Sequence, residues 1–294
     1  MNFHGSICAL ATPFDEDGGL DLPAFGRLIE HQIAGGTQGV VVAGSTGEAH
    51  ALEAEELDVL VRRAVEQVAG RIPVIVGTGT ANTRKTVRAT RHAQALGADA
   101  ALVVTPYYVR PTQEGLYQHF RDVADQSDIP VIVYNVPGRT GVDMQPDIVA
   151  RLAQHPRIVG IKEAVADPQR MQALLPLRSA SFAVLTGDDG TAARSLLAGA
   201  DGVISVANNI SPRPLRRLCD LARQGRAEEA LALDAQLQPL FEAIGLESNP
   251  IPVKWGLSLL GICQPHLRLP LTSLSENHRE RLRHIVEGAH AMAA

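Results

Sequence analysis

Cysteine is scarce in this 294-residue sequence: Cys8, Cys219 and Cys263 are three in number and far apart. An odd, dispersed set supports neither a disulfide framework nor a metal cluster, and fits reduced core thiols in a cytoplasmic protein. Aromatic residues make up only 4% against 45% hydrophobic, so the core has to be built from Ala, Val, Leu and Ile. No run of Lys or Arg exceeds a pair and the formal charge is -5. That excludes the basic face a nucleic-acid binder uses to displace counterions. No apolar stretch approaches the roughly 20 residues of a bilayer span, so no membrane partner is expected. The ten histidines are scattered, with no i, i+4 pair beside a glutamate, and no metal is indicated. Residues 1–5 do not open a cationic segment followed by a long apolar one, so no signal peptide is expected.

What is present is a repeat. Eight short apolar runs lie at 7–10, 40–43, 74–76, 101–105, 131–134, 158–161, 183–186 and 202–206. Each is continuously apolar instead of alternating, the pattern of strands covered on both faces, as in a parallel sheet. Helical periodicity fills the gaps. Asp21 can cap a stripe of Phe25, Leu28, Ile29 and Ile33 that Gly35-Gly36 stops. Eight strand–helix units close naturally into a (β/α)8 TIM barrel, for which about 250 residues is typical. An open doubly wound sheet is the alternative, but it needs edge strands, and no run is more polar than the rest. Strand signals stop after residue 210. Helical patterns follow at 214–224, 227–244, 253–260 and 275–291, so the expected division is a barrel over 1–210 and a C-terminal helical extension over 211–294. Pro250 and Pro252 predict an extended or kinked connector over 249–252.

In a TIM barrel, chemistry sits at the C-terminal strand ends and the loops after them. Lys162 closes the sixth run. It is either a rim lysine in water or a candidate nucleophile, since an amine at the end of a buried strand is costly to keep charged. The second run ends in Gly44-Ser45-Thr46-Gly47-Glu48, a turn whose hydroxyls cap the next helix or an anion cradle for a carboxylate. Gly77-Thr78-Gly79 reads as a turn, with Asn82 or Thr83 capping the helix after it. Tyr107-Tyr108 is packing or catalysis. Asp188-Asp189 includes a cap for a helix starting near Thr191, or hints at a metal. Arg139, in a Pro-Gly-Arg turn, is a solvated arginine or an anion receptor. A neutral lysine attacks carbonyls to form a Schiff base. Free lysine titrates near 10.4, so such a site must be desolvated. Glu163 opposes this only if it shares the lysine's face. Adjacent strand residues point to opposite faces, so an inward Lys162 leaves Glu163 toward the helices. Tyr134, at another strand end, is placed to shuttle protons.

With Gly-Ser-Thr-Gly-Glu, Thr-Pro-Tyr-Tyr, Tyr-Asn-Val-Pro-Gly-Arg-Thr, Gly-Ile-Lys-Glu-Ala and Asn-Pro-Ile-Pro-Val-Lys in this order, the chain resembles the dihydrodipicolinate synthase/N-acetylneuraminate lyase family of pyruvate-dependent class I aldolases. The resemblance covers essentially the whole chain. It implies that Lys162 forms the imine with pyruvate and that Tyr134 relays protons. It implies that Thr46 links Tyr134 to Tyr108, the latter donated by a neighbouring subunit. Ser45 and Thr46 would hold the pyruvate carboxylate, and Gly187 and Ile204 would line the site. Arg139 matches the arginine that, in the branch condensing pyruvate with aspartate semialdehyde, binds the aldehyde's carboxylate; sialic acid lyases generally lack it. No metal or organic cofactor is implied. The implied assembly is a homotetramer, a pair of tight dimers, or a dimer. Two departures stand out. Ser45 replaces the threonine more common in that branch. At the positions where inhibited members hold lysine, this chain has Ala54, Leu57, Ala81 and Lys85, and Lys85 would repel that ligand. Other expectations to separate are a sister aldolase or dehydratase acting on a sugar acid or hydroxyproline derivative, a phosphate-binding barrel isomerase using Gly187–Gly190, and a non-catalytic barrel.

Overall fold

A computed structural model describes residues 3–291. Eight parallel strands close in sequential order into a barrel. They are β1 (Gly5–Ala9), β2 (Val40–Val42), β3 (Val74–Gly77), β4 (Ala100–Val104), β5 (Val131–Asn135), β6 (Ile158–Glu163), β7 (Ala183–Thr186) and β8 (Gly202–Ser205). Each apolar run falls on one of them, with ends displaced by no more than two residues. An open sheet is ruled out by the pairing of β1 with β8, Ser6 opposite Val203 and Ile7 opposite Ile204. Asparagines after β8 stitch that seam: Asn209 Nδ2 donates to Ala9 O at 2.8 Å, and Ala11 N donates to Asn209 Oδ1 at 3.0 Å.

Between the strands run α1 (Leu22–Ala34), α2 (Ala54–Val68), α3 (Thr83–Ala95), α4 (Gln113–Asp125), α5 (Pro137–Thr140), α6 (Pro146–Leu152), α7 (Pro168–Leu174) and α8 (Ala192–Leu197). Asp21 caps α1 by accepting from Ala24 N at 2.9 Å, and Asn82 caps α3 by accepting from Lys85 N at 3.0 Å. After β8 come α9 (Pro212–Arg223), α10 (Ala227–Ala243), α11 (Ile251–Leu259) and α12 (Glu276–Ala291). α9 lies against β1 and α10 against both α9 and α12, so the C-terminal helices pack onto the seam side of the barrel. The connector expected at 249–252 is shorter than its prolines suggested. The Asn249–Pro250 bond is cis, but α11 already begins at Ile251, with Pro252 in its first turn. A proline there lacks only an N–H that has no partner in a helix anyway. No helix among the described residues is long and apolar enough to cross a membrane.

Side chains alternate around the closed sheet. Ile7, Val41, Ile75, Leu102, Ile132, Leu185 and Ile204 fill the barrel interior, while Cys8, Val40, Val76, Val103, Val133 and Val184 pack outward against helices. Cys8, Cys219 and Cys263 are free and buried, and burial pushes the Cys219 thiol up to about 12. One strand breaks the alternation. Between Val131 and Ile132 of β5 the register on β6 jumps from Ile158 to Gly160, leaving Val159 as an extra residue. Strict counting from the outward-facing Ile158 would turn Lys162 toward the helices. The bulge reverses that parity and sets Lys162 opposite Tyr134, facing inward.

Candidate active site

At the C-terminal mouth of the barrel lies a cavity of about 550 Å³, whose walls include Lys162, Tyr134, Ser45, Thr46, Gly187 and Arg139. These were marked separately along the sequence, and the fold brings them together. Lys162 is only 5% exposed and Tyr134 7%, so the rim-lysine reading fails. Lys162 Nζ sits 4.2 Å from the centroid of the Tyr134 ring. Gly187 makes room for this amine. A Cβ at that position would stand 2.7 Å from Lys162 Cε and 3.1 Å from Cγ, closer than non-bonded carbons approach.

Glu163 points away, into the helix layer. Both of its carboxylate oxygens accept from Asn135 Nδ2 at 3.1 Å, Val165 N donates to one at 2.9 Å, and Arg170 Nη1 lies 3.6 Å off. Burial pushes the Glu163 carboxyl up to about 7, against these donors. The negative neighbour is thus screened from Lys162 by the strand itself.

The loop after β2 does not cap α2. α2 is capped by Glu53 in a capping box, in which the Glu53 N–H donates to Glu56 Oε2 at 3.0 Å. Among the described residues, neither the Ser45 nor the Thr46 amide has a backbone acceptor. Thr46 is 2% exposed, and its Oγ1 accepts from Asn249 Nδ2 at 2.9 Å. Arg139, on α5, is exposed at the cavity edge and donates through Nη2 to Asn249 O at 3.2 Å. Asn249 therefore touches both groups that can receive a carboxylate, and its Oδ1 is buried without a partner. The cap expected from Asp188-Asp189 is not made: the N-cap of α8 is Thr191, with no side-chain cap bond, and Asp188 instead accepts from Thr191 N at 2.9 Å and Thr191 Oγ1 at 2.7 Å.

Two expected site residues stand apart. Ile204 is fully buried on β8, packed in the barrel interior with Tyr134 and Leu185, and is not part of the cavity wall. Tyr108 is 91% exposed on the loop after β4 and lies outside its own chain's cavity. Asn249 and Glu48 were not marked as site residues, although Asn249 bonds Thr46 and Arg139 and Glu48 closes the same turn. The signal was available, because both occur inside the Asn-Pro-Ile-Pro-Val-Lys and Gly-Ser-Thr-Gly-Glu segments.

The model of the dihydrodipicolinate synthetase family matches residues 2–289. The 4-hydroxy-tetrahydrodipicolinate synthase of Xanthomonas campestris pv. campestris is 56% identical over 294 residues, 100% of this chain and 97% of that protein. The enzyme of the same name from Pseudomonas aeruginosa is 49% identical over 279 residues, covering 95% and 96%. Among solved structures, the chloride-inhibited dihydrodipicolinate synthase of Acinetobacter baumannii complexed with pyruvate superposes with a TM-score of 0.96 at 45% identity, covering 98% of this chain and 99% of that one.

Proposed function

The chain belongs to the dihydrodipicolinate synthetase family, and on that premise we propose that the cavity at the barrel mouth is its active site, with Lys162 as the Schiff-base residue. The enzyme is a lyase that condenses pyruvate with L-aspartate 4-semialdehyde to 4-hydroxy-tetrahydrodipicolinate, a step of lysine and diaminopimelate biosynthesis. The observation that carries the mechanism is the buried amine of Lys162, held against Tyr134 with its neighbouring carboxylate turned to the other face.

The chemistry follows from the groups around it. The pyruvate carboxylate settles on the Ser45 and Thr46 amides and hydroxyls. Lys162 Nζ attacks the ketone carbon, and Tyr134 supplies and removes protons as water leaves and an iminium forms. Loss of a methyl proton gives an enamine, whose carbon attacks the aldehyde. Arg139 holds the aldehyde substrate's carboxylate by charge-assisted hydrogen bonds. The substrate's own amine then displaces Lys162, closes the ring and frees the enzyme.

In this reading Tyr108 enters the cavity of a neighbouring copy, in a homotetramer of tight dimers or a dimer. Tyr107, Tyr108 and Val109, 44%, 91% and 55% exposed, support an intersubunit role for that loop. The reading also puts the enzyme in the cytoplasm, where its unpaired thiols stay reduced. Lysine is expected to inhibit weakly at most. Ala54 and Leu57 offer it no polar contact, and the exposed Lys85 repels it. Strong inhibition at sub-millimolar lysine would refute this.

The direct test is borohydride reduction in the presence of pyruvate, followed by peptide mass spectrometry. The expected result is a single pyruvate-derived adduct on Lys162, absent in Lys162→Ala. An unmodified Lys162 overturns the mechanism. A panel of aldehyde acceptors, with sialic acid cleavage as the reverse assay, then separates this activity from that of sister aldolases.

A further inference from the structure

The turn that would receive the pyruvate carboxylate is bracketed by two non-glycine residues in the left-handed region, Ala43 at φ 53° and Glu48 at φ 52°. L-residues hold that conformation only where the surroundings impose it. At Glu48 the constraint is visible. Its side chain is fully buried and accepts from the equally buried Lys254 Nζ at 2.7 Å. Its second oxygen accepts from Arg268 N at 3.2 Å. Lys254 lies on α11, and its ammonium rests 4.1 Å from the Phe14 ring centroid. Arg268 stacks on the same ring at 4.3 Å and ties to Gly18 O, Ala51 O and Glu56. Asn249, just before α11, bonds Thr46 and Arg139. The start of α11 thus grips the turn at both Thr46 and Glu48.

A buried ion pair adds little net stability, because desolvating both charges cancels most of their attraction. It does fix positions. We propose that Glu48 and Lys254 are positioning residues for the reaction: their buried ion pair locks the Ser45–Thr46 turn in the conformation that receives the pyruvate carboxylate. The inference rests on the reading that pyruvate is bound as an imine of Lys162.

The experiment measures borohydride-trapped pyruvate at Lys162 against pyruvate concentration, together with steady-state kinetics and the thermal midpoint. It uses the full chain as wild type, Glu48→Gln, and the double variant Glu48→Gln/Lys254→Met. The expected half-saturation for pyruvate rises about tenfold or more in Glu48→Gln, while kcat at saturation changes by less than about threefold. In the double variant, which leaves no lone buried charge, the thermal midpoint returns toward wild type but the raised half-saturation stays. A half-saturation that recovers with the midpoint marks the pair as merely structural and overturns the proposal. So does an unchanged half-saturation in folded Glu48→Gln. If Glu48→Gln does not fold, the double variant alone carries the comparison. Wild type trapped at Lys162 with variants that behave like it sinks this inference alone. Wild type that is never trapped sinks the imine reading and the inference together.

Discussion

The two walls of the cavity are held by different means. On the β5–β6 wall, Lys162 and Tyr134 are placed by strand register, residue opposite residue. On the loop wall, beyond the strand ends, Thr46 after β2 and Arg139 on α5 directly after β5 have no ladder to hold them. They are tied by Asn249, and the turn is anchored through Glu48 to Lys254, 206 residues along the chain. Two buried carboxylates show the same contrast. Glu48 meets an ammonium at 2.7 Å, whereas Glu163 meets an amide at 3.1 Å and a guanidinium at 3.6 Å, and burial pushes it up to about 7. A strand keeps its geometry through backbone hydrogen bonds, so the charge behind it can be half compensated. The turn has no such ladder, only local bonds such as Glu48 N to Ser45 O at 3.2 Å and Ala49 N to Gly44 O at 3.3 Å, and depends more on the side chain that anchors it.

If that contrast is real, substitutions on the two walls move different kinetic constants. Tyr134→Phe removes a proton relay and should lower kcat by about 10²- to 10⁴-fold while leaving the half-saturation for both substrates within a few-fold. Gly187→Ala sets a Cβ 2.7 Å from Lys162 Cε, and the displaced amine should cost about 10²-fold in kcat, with reduced trapping by borohydride. Arg139→Ala should raise KM for aspartate semialdehyde about 10- to 100-fold, the loss of one charge-assisted contact, with pyruvate half-saturation unchanged. An Arg139→Ala enzyme whose pyruvate constant moved equally would erase the distinction between the walls. The smallest kinetic effect belongs to His119 on α4, remote from both. Burial lowers its imidazole to about 4. The unfolded chain takes up that proton near pH 6.5 and the folded chain only near 4, so stability is constant above 6.5 and falls as pH drops from 6.5 to 4. His119→Gln should flatten that part of the thermal-midpoint profile without changing kcat or KM.

The wall built on strands was legible in the sequence, and the other only in part. Continuous apolar runs marked all eight strands, and their ends named Lys162, Tyr134 and Gly187. The hydroxyl turn and Arg139 were visible as motifs. What joins them was not, because the Asn249–Thr46 and Lys254–Glu48 contacts link residues about two hundred positions apart and nothing local announces a partner at that range. The connector at 249–252 was misjudged for a related reason. Prolines signal a break, but one at the N-cap and one in the first turn of a helix are as compatible with its start. Ile204 was expected at the cavity and lies beneath it. A strand residue's level along the barrel axis depends on shear, which a linear reading does not contain.

The extra residue in β6 has a consequence for how this chain tolerates change in length. Below Val159 the strand keeps one count and above it another, so the upper half is insulated from the lower. Excising Val159 would restore an uninterrupted ladder from Ile158 to Gly160 and still leave the reactive amine across from the phenol. An insertion or deletion at that point is absorbed where it occurs, whereas the same change between Gly160 and Lys162 would rotate the nucleophile out of the reaction chamber.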